Sequence, residues 1–570
     1  MRHWVARWSR PGYALALAVL VVVPLIGPGY LLLRDAVSTP RSYLSDSALG
    51  LMSAPRATPQ DFAVALASHF VDGGLVVKAL LVAGLWLAGW GAARLVALVL
   101  PEAGAGGQFV AITLAIWNPY VAERLLQGHW SLLLGYGCLP WVATTMLTLR
   151  SGSTGFFGLA FWIALAGLTP TGLILAATVA LVCAAVPVGG AGGSRPRWVC
   201  AAAALAGALL AALPWLTAAA LGLSSADRIW VQAPDVAAFA ARAEPGLGTL
   251  GSLASLGGIW NSEAVPPSRT TLFAMVSAGA LLGVVAIGLP TVLRRRAAVP
   301  LIALAAVSVL APAALATGPG LATLQAAVDA APGVGVLRDG QKWVALAMPG
   351  YALAGAGAVL TLRRFSGPAV PALVCCAALL LTLPDLAWGV GGRVAPVNYP
   401  AGWAAVAALI NRDPGLVAVL PVDTMRRFAW SRPAPVLDPL PRWVRSDVLI
   451  TGDLIVSGVT VLGEGHRARK VQRLLLAGAD PAALRNAGVA WLVVEAGTTG
   501  DMGWAARTFE RLPVVYRGHD LTLYRVNGQA GAVPADRRLL AVIAHLVWLE
   551  MLIVGATGMA VAGWRQAEMA

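Results

Sequence analysis

The stretch GYLLLRDAVSTPRSYLSD, Gly29 to Asp46, decides how the rest of the chain is read. An apolar run ends at Leu33, Arg34 and Asp35 follow at once, and Asp46 comes one short polar loop later. A carboxylate where a first membrane span meets water is half desolvated yet reachable, which suits a general base. Asp35 therefore reads either as that base or as a span-end acid paired with Arg34 or Arg41. Asp46, on the same loop, is the second catalytic candidate.

Outward from this stretch, the composition sets the class. The chain has 570 residues, 58% of them hydrophobic and only 12% charged, with a mean hydropathy of +0.74. A water-facing surface needs more charge, so the chain reads as a polytopic α-helical membrane protein with at least one soluble part. A net charge of +14 would suggest nucleic acid in a soluble protein. Here the arginines cluster in short loops between apolar runs, as orientation signals do, and no nucleic-acid partner is expected. Cys138, Cys183, Cys200, Cys375 and Cys376 all lie in apolar runs, which argues against a disulfide framework or a zinc site. The segment MRHWVARWSRPGY leads into an apolar run without a small-residue cleavage site before Arg34, so it reads as an uncleaved first span.

About twelve runs are long enough to be spans: 12–33, 74–100, 105–121, 129–149, 155–169, 170–188, 197–222, 269–293, 298–317, 343–362, 368–390 and 539–563. With Arg2, Arg7 and Arg10 in the cytoplasm, alternation puts Arg150, Arg195 with Arg197, Arg294 to Arg296, Arg363 with Arg364, and Arg565 on that same side. Arg537 and Arg538, before the last run, are the exception. Both termini are then cytoplasmic in a plasma-membrane protein, and the long segments 34–73, 223–268, 318–342 and 391–538 face outward. Three regions follow: a bundle over 1–390, an outer domain over 391–538, and a final span with a tail over 539–570. In the outer domain, LVAVLP (416–421), WLVVE (491–495), PVVYRG (513–518) and LTLYRV (521–526) read as strands, the last two as a hairpin. GWAAVAALI (402–410) and HRARKVQRLLLAG (466–478) have helical spacing. This is an α/β domain.

Two more stretches carry charge at the outer face. NPYVAERLLQGHW, Asn118 to Trp130, offers Glu123, Arg124 and His129. They read either as a phosphate site or, with Trp117, Tyr120 and Trp130, as an interfacial belt. VLRDGQKWVAL, Val336 to Leu346, offers Arg338, Asp339, Gln341 and Lys342. Cations on the translocated side oppose the orientation signal, so Arg338 and Lys342 are candidates for a phosphate or diphosphate. The candidate substrate-binding set is Arg34, Glu123, Arg124, His129, Trp130, Arg338, Asp339, Gln341 and Lys342. No phosphate-binding Gly-rich loop, dinucleotide fingerprint or His/Cys metal cluster is present in the sequence. No cofactor and no metal ligands are expected, and nothing points to a nucleotide donor.

An acid in the first outer loop, a many-helix bundle and an outer domain near the C-terminus together resemble the GT-C glycosyltransferases. The segments WNPYVAERLLQGHWSLLLGYGCLPW (117–141) and GVLRDGQKWVAL (335–346) look like those of actinobacterial arabinofuranosyltransferases of cell-wall assembly. The resemblance implies a polyprenyl-phosphate sugar as donor, arabinose before mannose, and a glycan or glycolipid as acceptor. It implies that Asp35 deprotonates the acceptor hydroxyl in an inverting transfer. It also implies that Arg124, His129, Arg338 and Lys342 hold the departing phosphate. The competing expectations are a transporter of lipid-linked glycans, which would show internal symmetry and polar residues through the bilayer, and a non-catalytic scaffold.

Overall fold

A computed structural model describes residues 2–52, 57–151, 155–186, 195–222, 233–456 and 458–568. The first ten residues of the expected outer loop 223–268 lie outside the described residues.

The chain is mostly helical. Among the described residues, seven helices are long and apolar enough to cross a membrane, or nine if each of two bent pairs is one span. Long helices alone do not reach the expected count of about twelve spans. Asn118-Pro119 and Thr169-Pro170 restart the helix, because proline has no N–H to continue the ladder. The runs they interrupt become Gly104–Ile116, Phe156–Ala166 and Pro170–Ala184. The last two have 11 and 15 residues, short of the roughly 20 that a full span needs. Val299–Leu315 turns by 93° into Gly318–Ala330, and Ala369–Leu381 turns by 70° into Pro384–Gly392. The first helix stops at Ile26, so Leu31 to Leu33 are not the end of a span.

At the centre, Gly73–Val99 packs along Trp130–Arg150. Gly84 and Gly137 make this possible. A Cβ on Gly84 would press on the Leu134 backbone, and one on Gly137 would overlap the Gly84 carbonyl. Small residues bring helices together in apolar surroundings, where packing rather than solvent exclusion drives association.

The basic loops gather at one end. Arg295 pairs with Glu102 at 2.8 Å, and Arg363 donates to the Glu102 carbonyl at 3.0 Å. At the same kind of junction Arg150 bonds the Arg195 carbonyl and donates to Val186 O at 3.3 Å. Phe156–Ala166 and Pro170–Ala184 thus leave the Arg150 end and return to it.

At the C-terminal side, four strands form a sheet in the order Val417–Leu420, Trp491–Glu495, Leu521–Arg525, Val514–Arg517. The first pair is parallel with Val417 opposite Trp491, and the others are antiparallel. Alternation sends Val417, Val419, Val493 and Leu523 into one core with Trp403, Val406 and Ile410 of helix Ala401–Arg412. It sends Ala418, Leu420, Leu492 and Tyr524 into another with Val471 and Leu475 of helix His466–Leu476. The strands and helices expected here form where the period-2 and helical spacings put them. This domain is stitched to the bundle. Leu32 and Val37 enter its core, and Tyr30 exchanges backbone bonds of 2.8 and 2.9 Å with Val397.

Candidate active site

Asp35 is held by a turn, not by a helix end. Strands Leu32–Leu33 and Ala36–Val37 pair, with Leu33 opposite Ala36, so Arg34 and Asp35 form a two-residue turn. Arg34 takes φ +48°, a left-handed conformation that costs a non-glycine residue of order 1–2 kcal/mol. Bonds on every side hold it there: its N–H to Pro435 O at 2.8 Å, its carbonyl from Leu437 N at 2.9 Å, and its guanidinium to Leu126 O at 2.6 Å and Glu263 O at 3.0 Å. Arg34 is buried and pairs with Glu263, not with Asp35. Arg41 is engaged by Ala65 O, Ser68 and His69. Among the described residues, Asp35 thus has its direct partners in Gln127 and His129 and not in Arg34 or Arg41.

The partner stretch folds for local reasons. Asn118 caps helix Pro119–Gln127 by accepting from Val121 N at 3.1 Å, Pro119 occupies the first turn, and Gly128 ends it at φ +83°. A Cβ at Gly128 would overlap Leu33 O and Ala36 N, so the helix end packs directly on the Asp35 turn. This brings Gln127 and His129 to the carboxylate. Gln127 Nε2 donates to Asp35 Oδ2 at 3.1 Å, and His129 Nε2 lies 2.8 Å from the same oxygen.

Arg124 decides the form of His129. Its Nη1 lies 3.2 Å from His129 Nδ1. Arginine only donates, so Nδ1 accepts and the proton sits on Nε2, facing Asp35. His129 is thus neutral, with its hydrogen bond directed at the carboxylate. Burial and the cations Arg124 and Lys342 push its pKa below the usual imidazole range, against the pull of Asp35. Burial alone would raise Asp35, but His129, Gln127 and the charge of Lys342 hold it below the usual carboxylate range. Both bonds fall on Oδ2. The side chain is 37% exposed, which leaves Oδ1 open to the cavity.

Behind His129 runs a largely buried network. Arg124 grips Asp339 with two bonds of 2.8 and 3.0 Å and also bonds Gln341 Oε1. Gln341 donates to Glu123 at 3.0 Å, and Glu123 accepts from the amides of Gly258 and Ile259 at 3.2 and 3.1 Å. Lys342 Nζ stands 3.7 Å from Asp339.

Two cavities meet at Asp35. One, of about 600 Å³, is lined by Arg34, Asp35, Gln127, His129, Trp260, Glu263, Arg338, Asp339 and Lys342, and by Arg427, Glu464 and the segment 454–456 of the C-terminal domain. The other, of about 440 Å³, also contains Asp35, His129 and Lys342, with Gln60, Trp130, Thr171, Asp438 and Arg442. Arg338 lies over the Phe239 ring, 4.4 Å from its centre.

The expected residues thus divide. Asp35, Arg34, His129, Trp130, Arg338, Asp339 and Lys342 reach a cavity wall. Arg124, Glu123 and Gln341 are buried, with no exposed surface, and line neither cavity. They support the wall and do not touch what the cavities hold. Asp46 belongs elsewhere: it takes two bonds from Arg538, of 2.8 and 2.6 Å, and lines a separate cavity. This also accounts for Arg538, the exception among the basic tracts. Gln127, which also lines the larger cavity, carries no charge to single it out in the sequence, although it stands two residues before His129. Arg427, Glu464, Asp438 and Arg442 come from a domain whose docking no local pattern reveals. Among the described residues, no group of three or more His, Cys, Asp or Glu could hold a metal ion.

No family model and no curated protein matches the chain. Solved structures do. The arabinofuranosyltransferase AftD from Mycobacteria superposes with a TM-score of 0.60 at 17% identity, over 93% of this chain and 40% of that one. A mutant form of the same enzyme gives a TM-score of 0.56 at 18% identity, over 94% and 42%. Over most of its length the chain therefore shares the fold of a solved mycobacterial arabinofuranosyltransferase. It spans about 40% of the length of the solved chain that it matches.

Proposed function

We propose that this protein is a glycosyltransferase that moves a sugar from a polyprenyl phosphate to a glycan hydroxyl, an arabinofuranosyl group ahead of a mannosyl one. The observation that carries the reading is the meeting of Asp35, His129 and Lys342 where two cavities join. The larger cavity, with Arg34, Arg338, Lys342 and Arg427 on its walls, suits the phosphate end of the donor. The second suits the acceptor, with Asp438 and Arg442 to bind its hydroxyls.

In this mechanism Asp35 Oδ1 takes the proton of the acceptor hydroxyl. The oxygen forms a bond to the anomeric carbon, the bond from that carbon to phosphate oxygen breaks, and configuration inverts. Lys342 and Arg338 stabilise the charge that grows on the leaving phosphate. His129 and Gln127 hold the carboxylate in place.

The gathering of Glu102, Arg295 and Arg363, and of Arg150 and Arg195, at one end supports a cytoplasmic side for the basic loops and for both termini. The site and the domain over 391–538 then face outward. Counting Gly104–Ile116, Phe156–Ala166 and Pro170–Ala184 as short crossings brings the nine long spans to the twelve crossings this orientation needs.

The test supplies labelled polyprenyl-phosphate arabinose and an arabinan acceptor to membranes carrying Asp35→Asn. General-base catalysis contributes about 10²- to 10⁴-fold, so transfer should fall at least about a hundredfold. Undiminished transfer removes Asp35 from the reaction.

A further inference from the structure

The cavity around Asp46 and Arg538 takes no part in the proposed reaction, and it is a built site of its own. Its volume is about 480 Å³, in the range of small-molecule pockets. Three distant segments form it: the first loop through Asp46 and Leu49, the C-terminal domain through Arg445 and Arg467, and the head of the last helix through Arg538 and Val542. The acids at its wall are already engaged. Asp46 is taken by Arg538, and Asp447 accepts the Ser47 amide at 2.8 Å. Arg445 lies over the Tyr43 ring, 5.3 Å from its centre. Arg467 donates to the Ala487 carbonyl at 3.1 Å. Neither pairs with a carboxylate within 4 Å among the described residues. Two arginines without counter-ions at a cavity wall form an anion site.

Its position says which anion. Helix Ala535–Glu568 is a candidate span over Ala535–Arg565. Val542 and Leu546 follow Arg538 at steps of four, on one helix face. Val542 lines the cavity, and Leu546 beyond it is 50% exposed. Leu539 and Ile543 beside them are 59% and 47% exposed. An arginine-walled pocket thus opens at the head of a stripe that faces acyl chains. We infer that this cavity binds the phosphodiester headgroup of an anionic membrane phospholipid, with Arg445 and Arg467 on the phosphate and the acyl chains along Val542 and Leu546. The bound lipid ties the C-terminal domain, the first loop and the last span together at the bilayer surface. This inference stands independently of the glycosyl-transfer reading.

The full chain, purified in detergent, is equilibrated with equal amounts of phosphatidylglycerol and phosphatidylcholine, and the lipid retained is counted by native mass spectrometry. Phosphatidylglycerol should be retained selectively, and Arg445→Ser with Arg467→Ser should lower that retention about tenfold or more. Arg445→Lys with Arg467→Lys, which keeps the charge, should restore most of it. Equal retention of phosphatidylglycerol by the wild type and the serine variant, with both melting alike, overturns the site. Displacement of the lipid by millimolar inorganic phosphate overturns the headgroup assignment and leaves a site for soluble phosphate.

Discussion

At the residue scale, the proposed reaction turns on one proton. Arg124 compels His129 to carry it on Nε2, because an arginine can only donate to Nδ1. The imidazole then behaves as a fixed neutral donor to Asp35. A hydrogen bond to a charged group is worth about 1.5–3 kcal/mol, so His129→Ala should lower turnover about ten- to a hundredfold. It should also raise the Asp35 pKa, since a bond favouring the carboxylate is lost. In the wild type the limb due to Asp35 lies below the ordinary value of about 4. In the variant the pH–rate profile should show it at higher pH, and an unmoved limb would detach His129 from Asp35. Linkage has the same sign. The folded pKa of Asp35 is depressed, so its stabilisation is present above the unfolded value and is lost as pH falls through the folded one. Asp46 offers the contrast. Arg538 is 53% exposed, and such surface pairs contribute about 0–1 kcal/mol. Asp46→Asn should leave transfer within about threefold, and a hundredfold loss would return Asp46 to the reaction.

At the element scale, the site depends on one helix end meeting one turn. Helix Pro119–Gln127 ends at Gly128 because only glycine accepts φ +83° without cost while the Leu33 carbonyl sits against its Cα. Gly128→Ala should cost about 1–3 kcal/mol. The added methyl pushes the Asp35 turn away from Gln127 and His129. Transfer should therefore fall by more than the change in melting temperature explains. Equal activity per folded molecule would show that the turn tolerates the shift. The helix itself was legible in Asn118, Pro119 and Gly128, its cap, first-turn and exit residues, although the expected span over 105–121 ran into it. Its contact with the Gly29–Asp46 stretch was not, because helices Gly73–Val99 and Gly104–Ile116 separate the two stretches and neither carries a trace of the other.

At the scale of the molecule, orientation is the open arrangement with the sharpest test. All five native cysteines lie within the bundle, four of them buried. Thr460 and Arg364 are exposed. In intact cells, a thiol reagent that cannot cross the membrane should label Thr460→Cys and spare Arg364→Cys until the cells are opened. The reverse pattern would put the Asp35 cavities in the cytoplasm, where nucleotide sugars are present, and the lipid-linked donor would lose its rationale.

The sequence by itself determined the membrane class and the strands and helices of the C-terminal domain, and it singled out Asp35, Arg338 and Lys342, which the fold brings to cavity walls. These follow from hydropathy, alternation and charge, which are properties of neighbouring residues. It could not tell Asp46 from Asp35, since both are acids on one loop, nor show that Arg124 supports the wall instead of touching it. Tertiary packing alone decided those points. Burial and the choice of partner depend on segments hundreds of positions apart, as when Arg538 reaches Asp46 and Arg124 reaches Asp339. A charge's role is fixed by what surrounds it and by how much water it keeps.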